Sequence, residues 1–429
     1  MKRSAARLRA LGLCGLLAAG PAAAGGYDTP MLYSARHMGM GGTAIGSVDD
    51  PSALFHNPAG LAQVDKFAAI GDFSLLLARI KGSPGSEARD IESERTVAPL
   101  FLLGAAHRLN RWLVAGLGVY PIASAGATYK YPFLDFTFED TTRLVFIEAS
   151  PGLAVNLLQN RLRLGVGYRL TYVRLERYQG DRTLAQAGTE FKLTGVDAKG
   201  FRLGAQYTIV DGVSVGAVYR HKTQTHVAND TGRAIGDEFH DVSTEFVLSS
   251  KLGGGVRADL GDFGLGLDVE YLFNSQNAGS PLVGTPQATA SNPTPTTLEV
   301  SNVFEWKNQA TVRTGLEYRL ATPRNGDPRA RVAFRLGYIF DGKTTNPQYP
   351  SAFGTPPGPT HVLTGGVGLR ICRWDVNLAY ARRFGQGAVT DADVTAPGRR
   401  TCQFCGYAGK APYEITVNGI YVDLSFSLD

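Results

Sequence analysis

Residues 263–274 read Phe-Gly-Leu-Gly-Leu-Asp-Val-Glu-Tyr-Leu-Phe-Asn. Successive side chains of an extended chain point to opposite faces. Phe263, Leu265, Leu267, Val269, Tyr271 and Phe273 therefore share one face, and Gly264, Gly266, Asp268, Glu270 and Asn274 share the other. Such a strand suits a wall with hydrocarbon on one side and a polar space on the other. The pattern recurs in residues 161–172, where Leu162, Leu164, Val166, Tyr168, Leu170 and Tyr172 oppose Arg161, Arg163, Gly165, Gly167, Arg169 and Thr171. It recurs again in residues 331–341, where Val332, Phe334, Leu336, Tyr338 and Phe340 oppose Arg331, Arg335, Gly337 and Asp341.

A soluble sandwich also alternates, so the polar face and the connections decide between the two. The polar face mixes Arg163, Arg169, Arg202, Arg313, Arg335 and Arg370 with Asp268, Glu270, Glu317 and Asp375. Inside a closed barrel these charges can pair, with glycines leaving room. Short connections fall at Asn110, Gln159-Asn160, Asp211-Gly212, Gly261-Asp262 and Cys372-Arg373, with Arg324 to Pro328 slightly longer. Long ones fall at 82–95, 127–140, 176–190, 222–240, 276–296, 342–360 and 386–412. Short turns on one side and long loops on the other mark an outer-membrane barrel. About fourteen strands fit between them, an even number that puts both termini on the periplasmic side. The expected fold is all-β, a transmembrane antiparallel β-barrel over 66–429. Its last strand alternates Ile420, Val422, Leu424, Phe426 and Leu428 with Gly419, Tyr421, Asp423, Ser425 and Ser427. A strand of this kind is what barrel-assembly machinery reads, although the chain ends Leu428-Asp429 where an aromatic terminus is usual.

The N-terminus agrees with that compartment. Lys2, Arg3, Arg7 and Arg9 precede the apolar run 11–19, and Ala22-Ala23-Ala24 offers a cleavage site. This reads as a signal peptide over 1–24, with export to the outer membrane of a Gram-negative cell. Leu13 is too bulky to make Cys14 a lipoprotein site. No later apolar run approaches the roughly 20 residues that a spanning helix needs. Fifty-two glycines and 10% aromatics in 429 residues fit a barrel better than a periplasmic enzyme. Cys372, Cys402 and Cys405 are too few for a disulfide framework. Cys402-Gln403-Phe404-Cys405 lacks the second pair that a zinc ribbon requires, so a local disulfide or no bond is expected. His37, His56, His107, His221, His226, His240 and His361 show no metal-ligand spacing, and no cofactor is expected. A net charge of +5 gives no reason to expect nucleic acid.

Residues 25–65 fit no strand. Exposed to lipid, their backbone polar groups would go unsatisfied, so they belong in the lumen or at its periplasmic mouth. Within them, residues 50–56 (DPSALFH) read as a short helix with Asp50 as N-cap and Pro51 at its first position. The helix ends before Pro58, and Asn57 can cap a following turn. Gly39, Gly41 and Gly42 permit close packing or positive φ.

Gly39-Met40-Gly41-Gly42-Thr43-Ala44, Asp49-Asp50 and above all Asn57-Pro58-Ala59-Gly60-Leu61 resemble the hatch of the FadL family of long-chain fatty acid transporters. Further matches follow in order through most of the chain: Arg174, Glu176, Arg177, Gly180 and Asp181; Trp306-Lys307, Arg313-Thr314-Gly315 and Tyr318; Tyr338, Asp341 and Pro347. The resemblance implies a fourteen-stranded barrel plugged by its N-terminal segment, with hydrophobic substrate released sideways through a gap at a kinked third strand. That strand is expected over 112–126, with Gly118, Pro121 and Gly126 at the kink, since proline removes a ladder donor. An ordinary bulge is the alternative. The resemblance places hatch gating at Phe55, Asn57, Pro58, Ala59, Gly41 and Gly42; for Asn57-Pro58-Ala59, a fixed turn joining plug to wall is the other reading. Tyr129, Tyr131, Phe133, Phe136 and Phe138, with Leu134, offer a capturing loop or an extension of the strands. Loop 176–190 is short beside the long helical loop that carries the outer groove in the family's best-known members, which puts a copied groove in doubt.

Fatty acid uptake, by passive diffusion, is the leading expectation. A channel for aromatic hydrocarbons on the same fold is the alternative, and a general porin or lipid hydrolase stands further back. Gly212-Val213-Ser214-Val215-Gly216 spells the nucleophile-elbow pattern, but Ser214 begins a strand where the elbow needs a strand, turn and helix. No catalytic residue and no metal ligand is assigned. The expected partners are a hydrophobic small molecule, outer-membrane lipid, lipopolysaccharide and the assembly machinery, with the protein a monomer.

Overall fold

The structure is a computed structural model that describes residues 33–84, 88–133, 136–181, 186–234, 237–290, 292–321, 330–351, 353, 356–403 and 409–428. The expected export segment 1–24, residues 25–32 of the expected plug, Leu134 and Cys405 lie outside the described residues. Among the described residues, fourteen antiparallel strands form a closed ring. In chain order they are β1 (Phe67–Gly82), β2 (Thr96–Arg108), β3 (Leu113–Phe133), β4 (Phe136–Leu157), β5 (Leu162–Asp181), β6 (Gln186–Val210), β7 (Val213–Arg220), β8 (Lys251–Leu260), β9 (Phe263–Leu272), β10 (Gln309–Ala321), β11 (Arg331–Asp341), β12 (Thr360–Ile371), β13 (Trp374–Val389) and β14 (Ala411–Leu428). β14 closes the ring on β1, in register from Phe67 opposite Leu428 to Lys81 opposite Glu414. The first and last strands therefore leave no free edge, which is why closed sheets can cross membranes.

The strand faces follow the alternation in the sequence. Phe263, Leu265, Leu267, Val269 and Tyr271 point outward and Asp268 is buried inward. The 10 residues of this strand are the length with which a tilted barrel strand crosses an outer membrane. Aromatic rings mark both edges of this band. Phe263 packs on Tyr318 and Trp374 on Phe426 at the end with short turns. At the other end His361 stacks with Tyr338 and Phe384.

Inside, the charges pair as the mixed signs suggest. Arg169 bonds Glu148 at 2.6 Å, Arg257 and Arg335 each bond Glu317 at 2.7 Å, and Arg383 bonds Asp341 at 2.8 Å. Arg313 pairs with Glu270. Asp268 instead accepts the backbone N–H groups of Ala44 and Ile45 at 2.8 and 3.0 Å.

The short turns at Asn110, Gln159-Asn160, Asp211-Gly212, Gly261-Asp262 and Cys372-Arg373 lie where expected, and Arg324 to Pro328 lies outside the described residues. Gly212 and Gly261 take φ of +83° and +63° in their two-residue turns, and Asn110 Oδ1 caps the N–H groups of Trp112 and Leu113. The far end differs. Much of 127–140 and 176–190, expected as loop, is strand, because β3 to β6 run on for 20–25 residues each. Segment 222–240 is mostly a hairpin, Thr223–Ala234 with Asp237–Leu248. The alternation of side chains continues past the membrane there, and pairing satisfies backbone groups that a loop would leave to water. Cys402 is disulfide-bonded.

Candidate functional site

The plug is seated by backbone groups that need partners. A helix start leaves N–H groups unsatisfied, and two wall carboxylates take those of α1 (Ala35–Gly39). Asp72 accepts from Ala35 N and Asp423 from Arg36 N, each at 3.0 Å. The helix expected over 50–56 is shorter, α2 (Ala53–His56), with Ser52 rather than Asp50 at its N-cap and no side-chain cap; Asp50 Oδ1 instead accepts from Ser52 N at 2.7 Å in the turn that leads into it. Asn57 then caps a 3-10 turn over Pro58–Gln63, accepting from Ala59 N at 3.2 Å. Its amide donates to Ile45 O at 2.7 Å and reaches the wall carbonyls of Ala205 and Ala217 at 3.1 and 3.3 Å. Asn57, Pro58 and Ala59 are buried, with Phe55 partly so. Gly41 and Gly42 adopt φ of +65° and +74°, where a side chain is strained.

The wall receives this segment through missing side chains. Gly165, Gly204, Gly216, Gly255, Gly266, Gly315, Gly337 and Gly366 lie one per strand on β5 to β12, each against plug atoms. A methyl on Gly204 would overlap the Asn57 carboxamide oxygen, and one on Gly337 the Gly41 amide. The feature of the sequence that locates the seat is the recurrence of these glycines at inward positions of consecutive strands. Ser214, from the elbow-like pattern, donates to Gly46 O at 2.7 Å and belongs to the seat.

Across the barrel, β2 and β3 part. Their ladder runs from Arg108 opposite Val114 only as far as Leu103 opposite Val119. β2 stays paired to β1 up to Thr96, and β3 to β4 up to Phe133. The wall therefore has a window between residues 96–102 and 120–127, bridged above by Glu94 N donating to Thr128 O at 2.7 Å. Pro121 lies at the lower corner, where the register of β3 on β4 slips between Pro121 and Ala123. Its carbonyl accepts from the plug's Tyr33 hydroxyl at 3.0 Å. Gly126, at φ +149°, lies at the upper corner. Gly118 sits below the window, paired with Gly104 and close to Leu54 of the plug.

A cavity of about 610 Å³ occupies this window, a size suited to a drug-sized ligand. Met38, Leu100, Ile415 and Tyr421 line it from the lumen, and Val97, Phe101, Val145 and Ile147 from the membrane side. Its lining is mainly apolar, with Arg383 at the lumen side and Glu94, Arg95 and Arg143 also on it. Above it, Tyr129 and Tyr131 turn inward and are buried in an apolar cluster with Ile80, Ala127, Tyr413 and Ile415. Tyr129 packs on Phe353 at 5.6 Å and Tyr131 on Phe138 at 5.4 Å. Phe136 is exposed, and the Phe133 side chain lies outside the described residues. Ile80, Ala127 and Ile415 belong to both cluster and cavity, which makes one apolar surface from the mouth to the window.

The fold is that of the FadL homologues. A Pseudomonas aeruginosa FadL homologue superposes with a TM-score of 0.74 at 15% identity, covering 94% of this chain and 100% of that one. The P. putida toluene transporter TodX gives 0.66 at 15% identity, covering 92% and 99%. The Ralstonia pickettii toluene transporter TbuX gives 0.63 at 16%, covering 93% and 99%. No protein-family model matches the sequence, and no curated protein does. The neighbours with FadL-like folds are transporters or channels by name.

Proposed function

We propose that this chain belongs to the FadL family and carries hydrophobic molecules, long-chain fatty acids first, inward across the outer membrane by diffusion. The observation that supports this is the apolar cavity that passes through the β2–β3 window. Charged sugars of lipopolysaccharide exclude greasy solutes from the outer leaflet, so a continuous apolar path is the chemistry a carrier must supply. Burial is worth about 0.8 kcal/mol per CH₂, so a sixteen-carbon tail gains on the order of 10 kcal/mol. Release is then the harder step, and a side exit into hydrocarbon solves it because the tail never enters water.

In this reading Tyr129, Tyr131, Phe136 and Phe138 form the entry, with Pro121 and Gly126 framing the exit. Gly118 acts below the window, as part of the seat against Leu54. Phe55, Gly41, Gly42, Asn57, Pro58 and Ala59 set the position of the hatch, so that any gating motion must first release the Asn57 bonds. The protein works as a monomer among outer-membrane lipid and lipopolysaccharide after delivery by the assembly machinery. Aromatic hydrocarbons are the second candidate substrate, since toluene transporters share the fold.

Native mass spectrometry of detergent-purified protein tests the substrate: a co-purified fatty acid supports the first reading and a hydrocarbon the second. Uptake of labelled palmitate by cells carrying Ala125→Trp, which fills the window, tests the route. At least a tenfold loss with normal barrel assembly is expected, and unchanged uptake rejects the lateral exit.

A further inference from the structure

A second cavity, of about 340 Å³, lies under the plug among the strand ends on the short-turn side. Its walls carry six guanidiniums against three carboxylates. Three of the arginines are satisfied inside the cavity: Arg36 by Asp49 at 2.6 Å, Arg257 by Glu317 at 2.7 Å and Arg319 by Asp259 at 2.8 Å. Arg370 turns to Asp375 at 3.6 Å, both about a third exposed. Arg163 and Arg331 have no carboxylate partner among the described residues. Arg163 donates only to the Thr208 hydroxyl, at 3.2 Å. Arg331 shares this lining with Arg370 and Arg319, both of its own sign, with Asp375 as the opposing charge. His37 also borders the cavity. It is 3% exposed, its Nδ1 is engaged by Thr43 O at 3.2 Å, and its Nε2 has no hydrogen-bond partner.

Like charges gathered in a partly enclosed space repel, and water screens them less there than on an open surface. An oxyanion removes the repulsion, and the planar guanidinium fork matches a carboxylate or phosphate edge. The lining is mainly polar, so an apolar tail has little to pack on. We propose that this vestibule between the plug's underside and the barrel wall is a binding site for a small oxyanion, held by Arg163 and Arg331. It is distinct from the apolar window cavity and does not depend on the transport reading. The shared chemistry is a carboxylate or phosphate group, which either a free periplasmic anion or the head of a carried fatty acid supplies.

Isothermal titration of the detergent-solubilised protein with inorganic phosphate at low salt tests the site without any transport assay. Saturable one-site binding is expected, at least tenfold weaker in Arg163→Gln/Arg331→Gln and unchanged in Arg79→Gln, which lies on β1 at the long-loop end of the barrel and off this cavity. A parallel titration with hexanoate separates the sources. Phosphate binding with no hexanoate binding assigns a free anion, and competition between them admits a substrate head group. Labelling of arginines by phenylglyoxal, mapped by mass spectrometry on the unmodified sequence, covers the case in which the double variant does not fold. Phosphate is expected to protect Arg163 and Arg331 and leave Arg79 reactive. Absence of saturable binding, equal binding by the double variant, or no protection overturns the proposal.

Discussion

Asn57 shows how one side chain ties the plug to the wall. A carboxamide has two N–H donors and one oxygen, and here they serve Ile45, Ala205, Ala217 and Ala59. Asn57→Ala leaves buried carbonyls without donors, at a cost of about 2 to 3 kcal/mol. Hydrogen exchange of residues 44–60 should accelerate markedly while strand amides stay protected; unchanged rates would show that the bonds do not hold the plug. His37 adds a dependence on acidity. Burial, with Arg36 beside it, pushes its imidazole pKa down from 6.5 to about 4. The folded pKa is the lower one, so the docked plug has its full stability above about pH 6.5 and loses it as pH falls toward 4. Protease sensitivity of the plug should therefore rise across that interval, and His37→Gln should flatten the rise. A profile identical in the variant would remove His37 as the cause.

At the scale of elements, the window exists because β3 takes one residue more than β4 can match, between Pro121 and Ala123. A bulge bends a strand away from its neighbour, and the Pro121 carbonyl turns to the plug instead of to β2. Deleting Ile122 together with Pro121→Val restores the alternation and a donor. The β2–β3 ladder should then extend upward, and a cysteine at Ser124 should become at least tenfold slower to react with a membrane-soluble maleimide. Unchanged reactivity would place the cause of the gap elsewhere. The glycine seat makes the complementary case. Gly204→Ala sets a methyl on Asn57, and overpacking of this kind costs about 1 to 3 kcal/mol, read as loss of plug protection in a barrel that still resists heat in detergent.

The whole molecule is a ring with a cork. The lumen is filled by an apolar core that plug and wall build together, by paired charges and by the apolar cluster above. Removing residues 25–65 should open a water-filled pore, seen in planar bilayers as stable conductance that the intact chain lacks. Equal conductance with and without the segment would favour a general porin. The signs of this architecture were plain in the sequence, because alternation, short turns and an even strand count are local properties. Asp268 was less so. Read as a partner for lumen arginines, it instead accepts two plug amides, which no spacing within residues 263–274 could indicate. Tyr129 and Tyr131 likewise fit a loop or a strand by composition, and their burial follows from the extension of β3 against β4.

Periodicity, taken with the charged polar face and the alternation of short and long connections, determined that this chain forms a barrel with an apolar exterior, since which face of a strand meets lipid depends only on the order of its residues. It also marked a segment with no place in the wall. Only the tertiary structure decided where that segment sits, which carbonyls Asn57 reaches, and that β2 and β3 part to leave a cavity through the wall. Those features depend on side chains far apart in the sequence that meet once the ring has closed, and no local pattern carries that information.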